Sequence, residues 1–127
     1  MLSLSSSPSS QKLPVSRAVL LSIKSAVLTK GYRLSVAAVP PQEIRRLNKV
    51  YRKKDSVTDI LSFSLEKDCG EIVLCPQEIK RQRLQFGRTY RNFTLFLFIH
   101  GLCHLKGYAH GSRMEREEEK IRRRFDI

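Results

Sequence analysis

The sequence predicts an α+β fold: a single small domain with one mixed sheet and helices packed on it. Three observations predict this. Segments with apolar residues at helical spacing are interleaved with short runs that alternate or stay apolar throughout, the pattern of a sheet layered with helices. The chain has 127 residues, enough for one hydrophobic core and too few for two. Its most apolar stretch, Phe93 to Leu105, is broken by two histidines and is shorter than the roughly 18 residues a membrane span needs. That stretch therefore reads as a buried helix at the centre of the domain.

The elements follow in chain order. Residues 1–16 hold seven serines and no acidic residue, and read as a Ser-rich N-terminal tail or a weak first strand around Lys12 to Val15. A remnant transit peptide is the minor alternative, because the arginines of such a peptide are missing until Arg17. Residues 17–127 form the single domain. From Arg17 to Lys30, Val19, Leu20, Ile23, Ala26 and Val27 recur at helical spacing, and Gly31 ends the run. Leu34 to Val39 is a strand stopped by Pro40 and Pro41, and Pro41 opens a helix to about Arg52. That helix carries Ile44, Leu47 and Tyr51 on one face and Arg45, Arg46 and Lys49 on the other.

Residues 53–56 make a turn. Thr58 to Leu65 then alternates, with Leu61, Phe63 and Leu65 on one face and Ile60, Ser62 and Ser64 on the other. After a turn at residues 67–70, Glu71 to Cys75 returns as a strand. Pro76 opens a helix to Phe86, with Gly87 behind it. The apolar helix begins near Thr89 or Tyr90 and stops at Gly107. Arg113 to Phe125 is a last amphipathic helix with Met114, Ile121 and Phe125 inward, and Glu118 with Arg122 reads as an exposed pair on it.

Charge narrows the function. Against 12 Asp and Glu stand 24 Lys and Arg, a net +12. This favours a polyanionic partner, and nucleic acid is the commonest large one, with a membrane surface the competing polyanion; no segment is long and apolar enough to span a membrane. The three cysteines, Cys69, Cys75 and Cys103, are odd in number and irregular in spacing, so they predict reduced thiols in a cytoplasmic protein rather than disulfides or a zinc ribbon. Cys103 reads as core filling.

All three histidines, His100, His104 and His110, fall in one stretch. His100 and His104, four apart, project from one helix face. Gly107 reaches left-handed geometry freely and lets the chain turn His110 back over that face. Three imidazoles around one point suit zinc, one ion per chain, and leave a fourth position open as in catalytic sites. The central helix is thus also the metal-binding helix. Gly101 stands where a His-Glu-x-x-His metalloprotease has its general base, which argues against that class.

The run from His100 to His110, His-Gly-Leu-Cys-His-Leu-Lys-Gly-Tyr-Ala-His, resembles the signature of the YbeY family, metal-dependent endoribonucleases of rRNA maturation. A second block, Leu47 to Phe63, followed by Gly70 to Val73, resembles the family's other signature, and the likeness runs from about Leu34 to the end. Ala109 stands where the family usually has Asp before the last histidine, and Val57 where it usually has Pro. The Ala removes a carboxylate able to orient a ligand but removes no ligand. The resemblance implies a zinc-dependent, single-strand-selective endoribonuclease that processes the 16S rRNA 3′ end on the small ribosomal subunit and serves ribosome quality control. It also nominates Arg52 to stabilise charge developing on the phosphate. Lys53 and Lys54 are expected to contact the RNA backbone. Tyr108 either stacks a splayed base or packs against the last helix. Asp59 and Glu71 are general-base candidates, provided that they reach the metal. The alternative function is a ribosome-associated RNA-binding factor whose metal is structural.

Overall fold

The computed structural model describes residues 1–127. Its strands are β1 (Leu2–Ser6), β2 (Arg33–Ala38), β3 (Ile60–Glu66) and β4 (Cys69–Leu74). Its helices are α1 (Arg17–Val27), α2 (Pro41–Arg52), α3 (Pro76–Gln82), α4 (Tyr90–Lys106) and α5 (Ser112–Arg124), and a 3₁₀ turn at Arg83–Phe86 continues α3. The stretch from Pro76 to Phe86, read as one helix, is therefore two. The sheet has the order β1-β2-β4-β3. The β1–β2 and β2–β4 pairs are parallel, while β3 and β4 form an antiparallel edge. This is the mixed sheet expected, in an α+β domain. No helix is long and apolar enough to cross a membrane.

Both faces of the sheet are covered. Leu34 and Val36 of β2 and Ile72 and Leu74 of β4 alternate toward α1, α4 and α5, where they join Leu20, Ile23, Phe93, Phe98 and Leu102 in the main core. On the opposite face α2 rests Ile44 on Leu61, Val73 and Cys75. Helix α4 is the central element, with its residues from Phe93 to Cys103 mostly buried.

Three expectations are corrected. The first strand is Leu2–Ser6, paired with β2 from Leu2 opposite Leu34 to Ser6 opposite Ala38, and not the stretch from Lys12 to Val15. Buried Leu2 anchors it, whereas Pro14 cannot donate to a ladder; Leu13 and Val15 pack on the core as irregular chain. On β3, Leu61 is buried and Phe63 half-buried, but Leu65 is exposed. A register irregularity between Ser64 and Glu66 breaks the alternation just there. Tyr51, read as inward with Ile44 and Leu47, is 65% exposed. It lies in the last turn of α2, where its ring meets Phe63 edge-on at 5.4 Å instead of entering the core.

Helix α4 lies close on the sheet because of Gly101. A Cβ there would stand 2.8 Å from Ser62 Oγ, 3.0 Å from Ile60 Cδ1 and 3.1 Å from Ile72 Cδ1. Gly101→Ala is therefore expected to destabilise the protein by about 1 kcal/mol. Overpacking costs about 1–3 kcal/mol and the better helix propensity of Ala returns only about 1. A lower urea midpoint would show it. A raised midpoint would mean that the three side chains move aside freely.

Candidate metal centre

Helix α4 is framed at both ends. Thr89 Oγ1 accepts the Asn92 amide at 3.0 Å at its start. Gly107, with φ of 106°, closes its end by donating to the His104 carbonyl. Within the frame Phe96, His100 and His104 are spaced by four, so all three face one cavity. The turn through residues 107–111 brings His110 back over it. Ring centroids of His100 and His104 lie 4.7 Å apart, of His104 and His110 4.5 Å, and of His100 and His110 5.7 Å. One nitrogen from each ring lies within 4.8 Å of the others.

The donor set fits a metal ion. His104 is pushed down to about 4, by burial first and then by the nearness of the ionisable groups of His100, His110 and Arg52, so it is a neutral imidazole at pH 7. His100 Nδ1 lies 2.8 Å from Glu118 Oε1. A carboxylate only accepts, so Nδ1–H donates and the other ring nitrogen carries the free lone pair. Neutral imidazoles converging from three positions are a donor set that divalent metals accept.

Glu118 was not read from the sequence as part of the site. It is 6% exposed and on the inner stripe of α5 with Met114 and Ile121, not on a solvated face. The signal was its spacing: Met114, Glu118, Ile121 and Phe125 fall at 0, 4, 7 and 11, which puts a carboxylate in an apolar stripe. It fixes the His100 ring from another helix, where Ala109 supplies no carboxylate. Glu118→Ala is expected to weaken metal affinity about 10- to 100-fold, with Glu118→Gln, which still accepts through its amide oxygen, in between. Competition with a chelating dye would measure this. Equal affinity in all three proteins would remove Glu118 from the site.

The surrounding cavity, about 520 Å³, gathers groups from α2, β3, α4 and α5. Arg52 enters it from the last turn of α2, and its only polar contact is Nη2 donating to the Ser62 carbonyl at 3.4 Å. Arg122 of α5 also lines the cavity, its guanidinium 4.9 Å from the Phe96 ring centre. Arg122 and Phe96 were not anticipated either. Asp59 lies on the wall, where burial raises its carboxyl above the usual range against hydrogen bonds from neighbouring amides. Glu71 does not reach the site: Gly70 and Ile72 face α4, so Glu71 between them projects from the other side of the sheet. Lys53 and Lys54 lie on the exposed turn after Arg52 and outside the cavity. Tyr108 is outside it too. It packs on the core beside Lys106 and Arg113, whose charges lie 5.9 and 5.7 Å from its ring centre. Cys103 is fully buried in the main core, its thiol pushed up to about 12 by burial, as expected of core filling.

Comparison with known proteins agrees with this layout. The family model described as Endoribonuclease YbeY matches residues 6–126. A relative from Mycoplasmopsis synoviae, named Endoribonuclease YbeY, is 39% identical over 101 residues, covering 72% of this chain and 65% of its own length. One of the same name from Staphylococcus carnosus is 37% identical over 97 residues, covering 67% and 63%. The chain thus spans a little under two thirds of these curated relatives. The solution structure of TM1509 from Thermotoga maritima superposes with a TM-score of 0.68 at 29% identity, covering 95% of this chain and 86% of that one. A match from residue 6 to residue 126, on a fold that gathers the three histidines of the signature, places the chain in the YbeY endoribonuclease family.

Proposed function

We propose that the chain is a zinc-dependent endoribonuclease selective for single-stranded RNA, acting in the cytoplasm on rRNA of the small ribosomal subunit, in 16S 3′-end processing and ribosome quality control. One observation carries the reading: three imidazoles converge within 4.8 Å in a cavity that an arginine with no carboxylate partner also enters. That pairing of a cation site with a free guanidinium suits a phosphodiester. A bound zinc ion supplies Lewis acidity at the scissile phosphate. The chain's own groups do the rest. His100, His104 and His110 hold the ion, and Glu118 fixes the His100 ring. Arg52 donates to the phosphoryl oxygens as negative charge builds. Asp59, a carboxyl whose proton affinity burial has raised, accepts or returns a proton at its Oδ atoms. Lys53 and Lys54 hold backbone phosphates outside the cavity, adding affinity without sequence preference.

The alternative, an RNA-binding factor with a structural metal, draws less support from the fold. Neither core cluster contains a histidine, so the packed interior does not depend on the site. Cleavage of one labelled strand, alone and annealed to its complement, tests the proposal. Cutting of the single strand only is expected. Tight binding without cutting of either, with unfolding on chelation, would favour the alternative.

A further inference from the structure

Helix α2 ends in Lys49-Val-Tyr-Arg-Lys-Lys54, four cations around one aromatic with no acidic residue among them. Earlier in the helix Arg45 is paired to Asp55 at 2.8 Å and Arg46 to Glu43 at 2.6 Å. Lys49, Arg52, Lys53 and Lys54 make no ion pair, so the uncompensated charge gathers at this end. Lys53 takes the left-handed conformation, φ 58°, and the Lys54 amide donates back to the Asn48 carbonyl at 3.2 Å, which folds both lysines against the end of the helix beside Arg52. Tyr51, next to Arg52 in sequence, belongs to neither core cluster and is 65% exposed, yet its ring is held edge-on by Phe63 at an interplanar angle of 61°. A large aromatic ring that is fixed in direction by Phe63 and bare to solvent contributes little to the fold.

We propose that Tyr51 is a stacking platform for one unpaired nucleobase, adjoining the cavity that Arg52 enters. The site rests on the RNA reading of the histidine cavity and adds where the strand goes: out of the cavity past Arg52, over the β3 edge, and onto Tyr51, with Lys53 and Lys54 on its phosphates. Phe63 and Ser62 are consecutive on β3, so their side chains fall on opposite faces of the sheet. Ser62 lines the cavity and Phe63 holds Tyr51. The edge between them is the crossing point. Bases inside a duplex present no free face, so the platform selects single strands.

Binding to chelated protein tests the site without any cleavage. The chain has no tryptophan, so Tyr51→Trp gives a single emission reporting on this position alone. A short single-stranded oligouridylate is expected to quench it, and the same strand annealed to oligoadenylate is not. Tyr51→Leu, which keeps an apolar contact for Phe63, is expected to bind the single strand about tenfold more weakly, and Tyr51→Phe to bind as the wild type. Unchanged affinity in Tyr51→Leu with no quenching in Tyr51→Trp would overturn the platform while leaving the RNA reading in place. Absence of single-strand binding by the wild type would overturn both. A Tyr51-dependent affinity for polyglutamate but not for RNA would overturn it in favour of an acidic protein partner.

Discussion

His104→Ala is expected to abolish metal binding and turnover together while leaving single-strand affinity in chelator within a few-fold of the wild type. The residue sits between the other two histidines, its ring centroid 4.7 Å from that of His100 and 4.5 Å from that of His110, so two nitrogens without it cannot make a closed site. Burial first, and then the nearby ionisable groups, hold His104 at about 4, below the ordinary 6.5. The unfolded chain therefore takes up a proton at His104 more readily than the folded one. Metal-free protein gains nothing from this group above pH 6.5 and loses stability progressively as pH falls from 6.5 toward 4. His104→Ala removes that loss. The gap in urea midpoint between pH 7 and pH 5 should be smaller in the variant than in the wild type; an equal gap would assign the acid sensitivity to other groups.

Arg52→Gln is expected to lower turnover by about 10²- to 10³-fold, the cost of removing one donor aimed at developing charge. Metal content should not fall. The guanidinium touches only the Ser62 carbonyl, and its charge opposes a cation at the histidines, so its removal does not weaken their grip. Turnover and bound metal measured on one preparation separate the two effects. Loss of both in parallel would make Arg52 part of the metal site's framework and not a group acting on phosphate.

The helical part of this molecule was plain in the sequence because its signals are local. Spacing of four between His100 and His104, Gly107 as a stop, and Pro41 and Pro76 as starts each need only a few neighbouring residues, and the structure follows them. What escaped depends on partners distant in sequence. The Glu118 carboxylate acts on His100, 18 residues away on another helix, and its spacing on α5 was masked by acidic and basic neighbours that do face solvent. Tyr51 falls on the inner stripe of α2 by count, but in the last turn of the helix its ring meets only the edge of Phe63 and stays exposed. The serines of the first strand hid the alternation of Leu2 and Leu4. Only the neighbouring β2 makes a strand of residues that would not form one alone.

The site divides the same way. The three histidines could be read as one cluster because two share a helix face and the third follows a turn. Tyr108, inside that turn, could not be placed by count, and the structure puts it against the core outside the cavity. Glu71 illustrates the two-residue period of a strand: a shift of one position moves a carboxylate to the opposite side of the sheet.

The most direct test is turnover of a single-stranded oligoribonucleotide by chelated protein as zinc is returned in measured amounts, with circular dichroism followed on the same samples. The account predicts an unchanged fold throughout, no cleavage without metal, and activity rising to a plateau at one ion per chain. Cleavage at full rate in the metal-free protein, shared by His104→Ala, would contradict it.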